Sequence, residues 1–216
     1  MSAPLLNEDG TASMATAMMS SHHAFRRDLA CFAEALSAGR LTQAADEWKS
    51  FRAALHGHHT VEDTAVFPDL RTRHPSQARE LDVLHEQHQV IDPLLERGDG
   101  AFASLQRDSA LAVVRELQRL LAEHLDLEER VVIPHLRGAR DFPLEPTEEI
   151  VAAYADGFAW STAGLAPEVV AAIEAMLPPA LVARLPAARR AFAERCERAW
   201  GHGHAATSWT SVPAAR

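Results

Sequence analysis

A histidine lies four residues before a glutamate at two places in this chain, and each glutamate lies six residues before a proline. The two copies consist of His58, Glu62 and Pro68, and of His124, Glu128 and Pro134. The apolar residues around both copies recur at helical spacing, and residues four apart on an α-helix lie about 5–6 Å apart on one face. Both side chains of a pair can therefore reach one small ion. The repeat predicts two helices that each carry two metal ligands.

The apolar spacing predicts four long helices joined by short connections. Their expected ranges are about 13–38, 43–73, 77–97 and 102–137. We expect Gly39 to end the first helix and Gly98 to Gly100 to end the third, because glycine is common just after helix ends. Pro68 and Pro134 either kink their helices or end them, since proline removes a backbone donor. Four such helices indicate an all-α protein built as an up-down-up-down four-helix bundle.

Each predicted helix places one histidine on its core-facing side, and two of the helices add a glutamate. These residues are His22, His58, Glu62, His88, His124 and Glu128. Charged side chains are almost never fully buried unless they are paired or bind a metal, because an isolated buried charge is costly. Six polar groups that meet in one bundle core therefore predict a shared metal site.

Imidazole and carboxylate ligands suit iron, manganese or zinc, and no thiolate takes part in the pattern. Six protein ligands exceed the needs of one tetrahedral zinc ion, whereas two ions bridged by Glu62 and Glu128 use all six. Each ion would keep open positions for a bridging oxo or hydroxo group and for a small external ligand. O₂, NO and peroxide are the ligands that we expect at such a centre.

Over about residues 14–138 the chain resembles the hemerythrin-like, or HHE cation-binding, proteins. The matching elements are His22 with Phe25 to Leu29 on the first helix, His58, His59 and Glu62 with Phe67 and Pro68 on the second, His88 on the third, and His124, Glu128 and Glu129 with Pro134 on the fourth. The resemblance implies a four-helix bundle that holds two non-haem iron ions. It also implies that the four core-facing histidines are terminal ligands and that the two core-facing glutamates are bridges.

The chain departs from the oxygen-carrying hemerythrins at two positions. Those proteins have a second histidine four residues before the third-helix ligand, where this chain has Leu84, with His85 one residue later. They also have a bridging aspartate five residues after the fourth-helix histidine, where this chain has Glu129. The resemblance thus implies one histidine fewer and more open irons, which favours sensing or redox turnover over reversible O₂ transport.

Some assignments stay open at the level of sequence. The first-helix ligand is His22 or His23, the fourth-helix bridge is Glu128 or Glu129, and His85 is a rim or orienting residue or a ligand. The apolar spacing favours His22 and Glu128. We expect His59 to be solvated or to orient a ligand, because it lies one step off the face of His58, and we expect His135 to have a packing role.

Charge and composition limit the other functions. The net charge of −9 and the isoelectric point near 5.7 disfavour binding to nucleic acid or to anionic membranes, since both depend on clustered basic residues. Cys31 and Cys196 have no CxxC spacing and are expected to be reduced core residues. We find neither a signal peptide nor an apolar run long enough to span a membrane. We therefore expect a cytoplasmic protein.

Beyond residue 140 the ligand pattern ends and prolines become frequent. We expect residues 141–200 to form a helical extension packed on the bundle, with helices at about 147–155, 167–176 and 179–200. The small and polar residues 1–12 and 201–216 are expected to be disordered. Residues 141–200 are also where we expect a protein partner or a second copy of the chain to bind.

Two functions of different class fit the sequence. In the first, a di-iron centre binds O₂, NO or peroxide, and a partner senses the bound state. In the second, the chain is a di-iron enzyme that decomposes hydrogen peroxide, as catalases do, or reduces NO. We favour binding and sensing, because the sequence indicates a site and no catalytic residue beyond the metal ligands.

Overall fold

The computed structural model of the protein describes residues 4–140 and 147–201, and within these ranges every regular element is a helix. The bundle consists of α1 (Met14–Ser37), α2 (Leu41–Val61), α3 (Phe67–Arg73), α4 (Ala78–Ala103), α5 (Arg107–Val131) and α6 (Ile133–Leu136). A π-helical segment (Glu62–Val66) joins α2 to α3, and a 3-10 turn (Pro75–Gln77) precedes α4. The C-terminal helices are α7 (Glu148–Ser161), α8 (Pro167–Met176), α9 (Pro179–Val182) and α10 (Leu185–Trp200).

The four long helices form a closed ring of neighbours, in which α1 and α4 each pack on both α2 and α5. This is the arrangement of an up-down-up-down bundle, so the predicted all-α fold is confirmed. The apolar pattern of α4 explains its packing. Its residues Leu81, Leu84, His88, Ile91 and Leu95 recur at spacings of three and four and form one buried face.

Aromatic side chains fill the end of the bundle where α2 begins and α4 ends. Trp48 stacks on Phe102 with ring centres 4.6 Å apart. The ring of Phe32 contacts both of these rings, at 5.8 and 5.7 Å, and meets Trp200 of α10 edge-on at 4.8 Å. Such edge-to-face contacts add to the stability gained by burying the rings. This end of the bundle is therefore an apolar core.

The predicted end of the third helix at Gly98 to Gly100 is wrong, because α4 continues to Ala103. Gly98 has a packing role instead: a Cβ atom at this position would lie 2.0 Å from Cζ2 of Trp48. The indole Nε1 of Trp48 donates a hydrogen bond of 2.8 Å to the neighbouring Asp99. The missing side chain of Gly98 thus admits the tryptophan ring between α2 and α4.

The C-terminal helices share a hydrophobic core with the bundle, since one buried cluster includes residues of α7, α8, α9 and α10 together with residues of α1, α2, α4 and α5. Polar contacts fix α7 to α1. Arg27 donates hydrogen bonds of 3.0 and 2.9 Å to the carbonyl oxygens of Trp160 and Ala163. The indole of Trp160 donates a hydrogen bond of 2.7 Å to Asp28. The extension is thus held to α1 by three hydrogen bonds as well as by apolar burial.

Two of the three helix ranges predicted for the extension differ from the structure. Helix α8 has the predicted range, whereas α7 continues to Ser161 and the last predicted helix is divided into α9 and α10. The predicted joint at residues 141–146 lies outside the described residues. Within the described residues, no helix is long and apolar enough to cross a membrane.

Residues 4–12, for which the sequence predicts disorder, lie against the end of α6. Asn7 donates a hydrogen bond of 3.2 Å to the carbonyl oxygen of Arg137, and Arg137 donates one of 3.1 Å to that of Leu6. The backbone N–H of Met14 also reaches the carbonyl oxygen of Ala139 at 2.8 Å. Gly201, the first residue of the other segment predicted to be disordered, donates a backbone hydrogen bond of 3.0 Å to Glu197. Residues 1–3 and 202–216 lie outside the described residues.

Candidate metal centre

Both His-x-x-x-Glu pairs lie where their helix changes geometry. In each copy a new helix begins five residues after the glutamate, with Pro68 in the first turn of α3 and Pro134 in the first turn of α6. Proline is tolerated there because the first N–H groups of a helix have no intrahelical partner. After Glu62 the change is a π-helical turn, in which the N–H of Phe67 donates to the Glu62 carbonyl oxygen. The prolines therefore mark the start of short helices that follow the ligand pairs.

A first group of four side chains meets between α1, α2 and α5, and it consists of His22, His58, Glu62 and Glu128. One ligand atom from each side chain lies within 4.8 Å of those of the others. Nε2 of His58 is 2.9 Å from Oε1 of Glu62, and Nε2 of His22 is 3.3 Å from Oε2 of Glu128. Two imidazoles and two carboxylates thus converge on one small volume.

A second group lies beside the first and contains His59, His88 and His124, again with ligand atoms within 4.8 Å of one another. The ring of His59 stacks on that of His88 with centres 3.9 Å apart. Nε2 of His88 lies 3.3 Å from Nε2 of His124. All three residues are buried, so three imidazoles from α2, α4 and α5 share a space closed to water.

The two glutamates of the first group also contact histidines of the second group. Oε1 of Glu62 is 2.9 Å from His58, while its Oε2 is 3.4 Å from Nε2 of His88. Oε2 of Glu128 is 3.3 Å from His22 and 3.6 Å from Nε2 of His124. Each carboxylate therefore contacts one histidine of the first group and one of the second, which is the position required of a bridging ligand. All six side chains predicted from the sequence are brought together here.

The ring nitrogens on the far side of three histidines face hydrogen-bond acceptors. Nδ1 of His22 is 3.2 Å from Glu129, which also accepts a hydrogen bond from Arg26. Nδ1 of His88 is 3.1 Å from Oδ1 of Asp63, and Nδ1 of His124 is 2.9 Å from Oε1 of Gln87. Where Nδ1 donates to such an acceptor, as that of His124 does to Gln87, the proton is fixed there and the Nε2 lone pair turns toward the site, as histidine ligands of metals require.

The contact between His88 and His124 is informative. The amide oxygen of Gln87 only accepts hydrogen bonds, so Nδ1 of His124 is the donor and its Nε2 carries a lone pair. Nε2 of His88 lies 3.3 Å from that lone pair and can donate to it without metal, since Nδ1 of His88 has no aligned hydrogen bond. Metal–nitrogen bonds of about 2.0–2.1 Å place neighbouring ligand atoms about 3.0–3.4 Å apart. The spacing of these two nitrogens therefore fits a shared metal ion.

The buried polar atoms of the centre also fit a metal. Within the described residues, no well-aligned hydrogen bond reaches Nε2 of His22, His58 and His59 or any carboxylate oxygen of Glu62 and Glu128. Buried polar groups in native proteins nearly always have partners, because the loss of hydration is otherwise uncompensated. Seven such atoms around one volume are the donor set that one or two metal ions would satisfy.

Burial sets the protonation of the histidines and glutamates without metal. It lowers the pKa of His58 to about 4 and that of His124 to about 2, so both rings are neutral and able to bind metal. Burial and the charge of Glu128 raise the pKa of Glu62 well above its usual value. Burial opposes charge on Glu128 and His22 as well, but their mutual attraction outweighs it, raising the pKa of His22 to about 9 and lowering that of Glu128.

The family model of the hemerythrin HHE cation binding domain matches residues 13–136, from the residue before α1 to the last residue of α6. The chain belongs to this family. Comparison with curated proteins and with solved structures finds no match. The HHE match thus covers the bundle and the whole centre, while the C-terminal helices lie outside it. Cation binding by the buried His and Glu groups is consistent with both the match and the geometry.

The structure separates the residues that the sequence left open within this HHE domain. His22 is buried in the centre and its neighbour His23 is exposed. Glu128 is buried between the two groups, whereas Glu129 lies behind His22 as its acceptor. His85 is exposed and contacts Asp63 at 2.9 Å, so it belongs to a third, outer group of Asp63, His85 and His88.

The sequence interpretation missed His59, which is buried against His88 rather than solvated. The sequence contained a signal for the burial of His59. Phe51, Leu55 and His59 follow one another at intervals of four residues and are all buried, while His58 follows Leu55 by three. Both spacings lie on the inner side of a helix. His59 of α2 thus brings a fifth histidine ring into the two groups, while the third-helix position at which the oxygen-carrying hemerythrins have a second histidine is the buried Leu84.

His135 lies outside both groups, and its ring stacks on that of His74 at 3.8 Å. Gln87 and Asp63 could not be recognised as orienting residues from the sequence. Each acts across a helix interface on a ring from another helix, and no sequence spacing records such a contact.

Proposed function

We propose that the chain holds two iron ions at this centre and binds O₂, NO or peroxide there as a binding or sensing protein. The observation that supports it best is the position of Glu62, whose two oxygens face histidines of different groups. A carboxylate placed in this way joins two ions, and a single ion would leave one group of histidines without a partner. Seven nitrogen and oxygen donors without a thiolate suit iron better than a structural zinc site.

The proposal assigns each side chain a role. His22 and His58 would bind the first ion, His59, His88 and His124 the second, and Glu62 and Glu128 would bridge them. When bound, iron would supply open coordination positions and a change of oxidation state for a small external ligand. The protein residues orient the imidazoles, exclude bulk water and balance the charge of the two carboxylates.

Sensing is preferred to turnover because the acidic side chains beside the ligands, Glu129, Asp63 and Asp92, each face a histidine nitrogen. Glu129 and Asp63 are held by contacts to Arg26 and His85. A proton donor or acceptor for catalysis would need access to the external ligand and a partner that lets its proton move. The protein partner expected at the extension remains part of this proposal, since a sensor needs a reader of its bound state.

Metal analysis of protein loaded anaerobically with ferrous iron tests the proposal, with two irons per chain as the expected result. His22→Ala should lose iron, and the matched variant His23→Ala, which alters the exposed neighbour, should keep it. Full loading of His22→Ala, or preferential binding of one zinc ion by the unaltered chain, would contradict the di-iron centre.

The ligand is tested on the loaded protein. A stable change of the ferrous absorption spectrum on addition of NO or O₂ is expected. Sustained O₂ release from hydrogen peroxide that disappears in Glu62→Ala would instead support the enzyme, and binding and sensing would then be the wrong description.

A further inference from the structure

A cavity of about 330 Å³ lies between the bundle and α7, next to the metal centre. Its walls come from the start of α1, the junction of α2 with the π-helical segment, the end of α6 and one side of α7. The inner end is formed by His58 and Glu62, both members of the first group of ligands. Val61 and Tyr154 also line the cavity, and these two residues are 58% and 39% exposed. The cavity therefore opens to the surface between α2 and α7.

The cavity is the route by which the centre is exposed. The side chain of His58 is 13% exposed, while His22, Glu62, His88, His124 and Glu128 are at most 1% exposed. His58 lines the cavity and the other histidines of the two groups do not. Any molecule that enters therefore meets His58 and Glu62 and no other member of the two groups.

The walls indicate what can enter. Apart from His58, Glu62 and the hydroxyls of two serines and Tyr154, the lining consists of apolar side chains and a glycine, including Met18, Val66 and Phe158. Water in such a space has few hydrogen-bond partners, and apolar molecules displace it readily. A diatomic gas would leave most of the volume unfilled, since the cavity is about twice the size of one of about 150 Å³ that holds benzene.

We propose that this cavity binds an organic molecule with an apolar body and one oxygen-bearing end, and that this end reaches His58 and Glu62. Its class is that of medium-chain aliphatic carboxylates and hydroperoxides. The binding of the apolar body depends on the cavity alone, whereas contact of the polar end with iron rests on the proposed function. The centre would then meet O₂ or peroxide in the presence of a bound organic molecule.

The C-terminal extension acquires a role through this proposal. α7 contributes Tyr154, Gly157, Phe158, Trp160 and Ser161 to the wall, and none of them belongs to the matched HHE domain. The hydrogen bonds of Trp160 and Arg27 hold this wall against α1. The extension thus encloses a cavity at the edge of the metal centre.

Chain length provides the first test, by calorimetric titration of the full chain with sodium acetate, butanoate, hexanoate and octanoate. Affinity should rise about fourfold with each added methylene group until the cavity is full, because each buried methylene contributes to binding. The titration is run on metal-free and on iron-loaded protein. Equal affinity for acetate and octanoate would overturn the proposal.

The second test fills the cavity. Gly157 lies on its wall with no atom within 4 Å of where a Cβ atom would be, so the backbone there has room for a side chain, and we expect Gly157→Leu to narrow the cavity. Gly100→Leu is the matched control, because that glycine also lies in a helix with open space around it but far from the cavity. Octanoate affinity should fall at least tenfold in Gly157→Leu and stay unchanged in Gly100→Leu. Unchanged binding in both variants would place octanoate elsewhere on the surface and overturn the proposal.

Iron content separates this inference from the proposed function. Octanoate binding with the expected chain-length dependence by a chain that takes up no iron would support the cavity and contradict the di-iron centre. Two bound irons without any carboxylate binding would support the di-iron centre and contradict the proposed use of the cavity. A shift of the iron absorption spectrum with octanoate, absent in Gly157→Leu, would support contact between the polar end and the centre.

Discussion

Nε2 of His88 and Nε2 of His124 face each other at 3.3 Å in the bundle core, and Gln87 holds the proton of the His124 ring on the opposite nitrogen. The two rings come from α4 and α5, which pack against each other. A metal ion bound by both nitrogens would join the two helices. We therefore expect folding of the bundle and metal binding to be coupled at this contact.

Removal of metal should destabilise the chain. A ligand that binds only the folded state adds about 2.7 kcal/mol of stability at one hundred times its dissociation constant. Thermal unfolding of iron-loaded protein, with and without a chelator, measures the difference in melting temperature. The double variant Glu62→Ala, Glu128→Ala should show no effect of chelator, and an equal effect in the variant would mean that metal bound elsewhere stabilises the fold.

His59→Ala should lose half of the bound iron. His59 belongs to the group with His88 and His124, so its loss removes one of the three nitrogens that would hold the proposed second ion. His56→Ala is the control, because His56 is exposed on the same helix and contacts only Asp92 among the ionic partners described for it. Iron per chain, measured by elemental analysis, decides the outcome. Full loading of His59→Ala would show that this ring only packs against His88.

Gln87→Leu should weaken metal binding without abolishing it. The side chain accepts a hydrogen bond of 2.9 Å from Nδ1 of His124 and so fixes the tautomer that binds metal. Loss of such an orienting contact typically costs about 10–100-fold in metal affinity. Competition with a coloured chelator measures the change. Gln89→Leu, an exposed substitution two residues away, should have the affinity of the unaltered chain, and an equal loss in both variants would argue against the orienting role.

Gly98→Ala should destabilise the bundle at its apolar end. The new methyl group would lie 2.0 Å from the Trp48 ring, so either the ring or α4 must move. Overpacking of a core typically costs about 1–3 kcal/mol. Gly100→Ala, on the same helix with open space around it, should gain about 0.5–1 kcal/mol from its lower backbone entropy in the unfolded chain. Urea unfolding of both variants tests this, and a Gly98→Ala protein as stable as the parent would mean that the indole has room to shift.

Cys31 and Cys196 should resist alkylation in the folded protein. Burial raises the pKa of each thiol to about 12, so at pH 8 only about one molecule in ten thousand carries the thiolate. Mass spectrometry after iodoacetamide treatment should find both thiols unmodified in buffer and modified in urea. Rapid labelling of the folded chain would show that α10 opens from α1.

The same pKa values have a consequence for stability. The folded-state pKa of both thiols lies above the unfolded value of about 8.5, so their contribution is fully present below pH 8.5 and is lost as the pH rises toward 12. The free energy of unfolding should therefore fall over this interval. A Cys196→Ala variant should show a smaller fall.

The sequence predicted the parts of the centre that lie along single helices. His58 with Glu62 and His124 with Glu128 are spaced by one helical turn, and such a spacing is visible without knowledge of neighbouring helices. Burial in the structure distinguishes His22 from His23, but the apolar stripe of α1 had favoured His22 for the same physical reason. Periodicity therefore carries much of the information about which side chains turn inward.

Features that depend on two helices together were not predictable. Gly98 was predicted to end a helix because its contact with Trp48 of another helix cannot be recognised from the residues next to it in the sequence. His59 was expected to be solvated or to orient a ligand because it lies one step off the face of His58, whereas α2 lies between α1 and α4 and presents one ring to each. The cavity depends on α7 lying across α1, which no local pattern encodes.

The π-helical turn after Glu62 allows this segment to hold one residue more than a regular helix. Deletion of one residue between Glu62 and Val66 would restore a regular helix and leave Phe67 and the residues after it facing as they do now, because one π-helical turn takes the place of one α-helical turn. A further inserted residue would instead rotate Phe67 and Leu70 by about 100° about the helix axis and turn them out of the core in which they are buried. Related chains should therefore tolerate the loss of one residue here more readily than the gain of one.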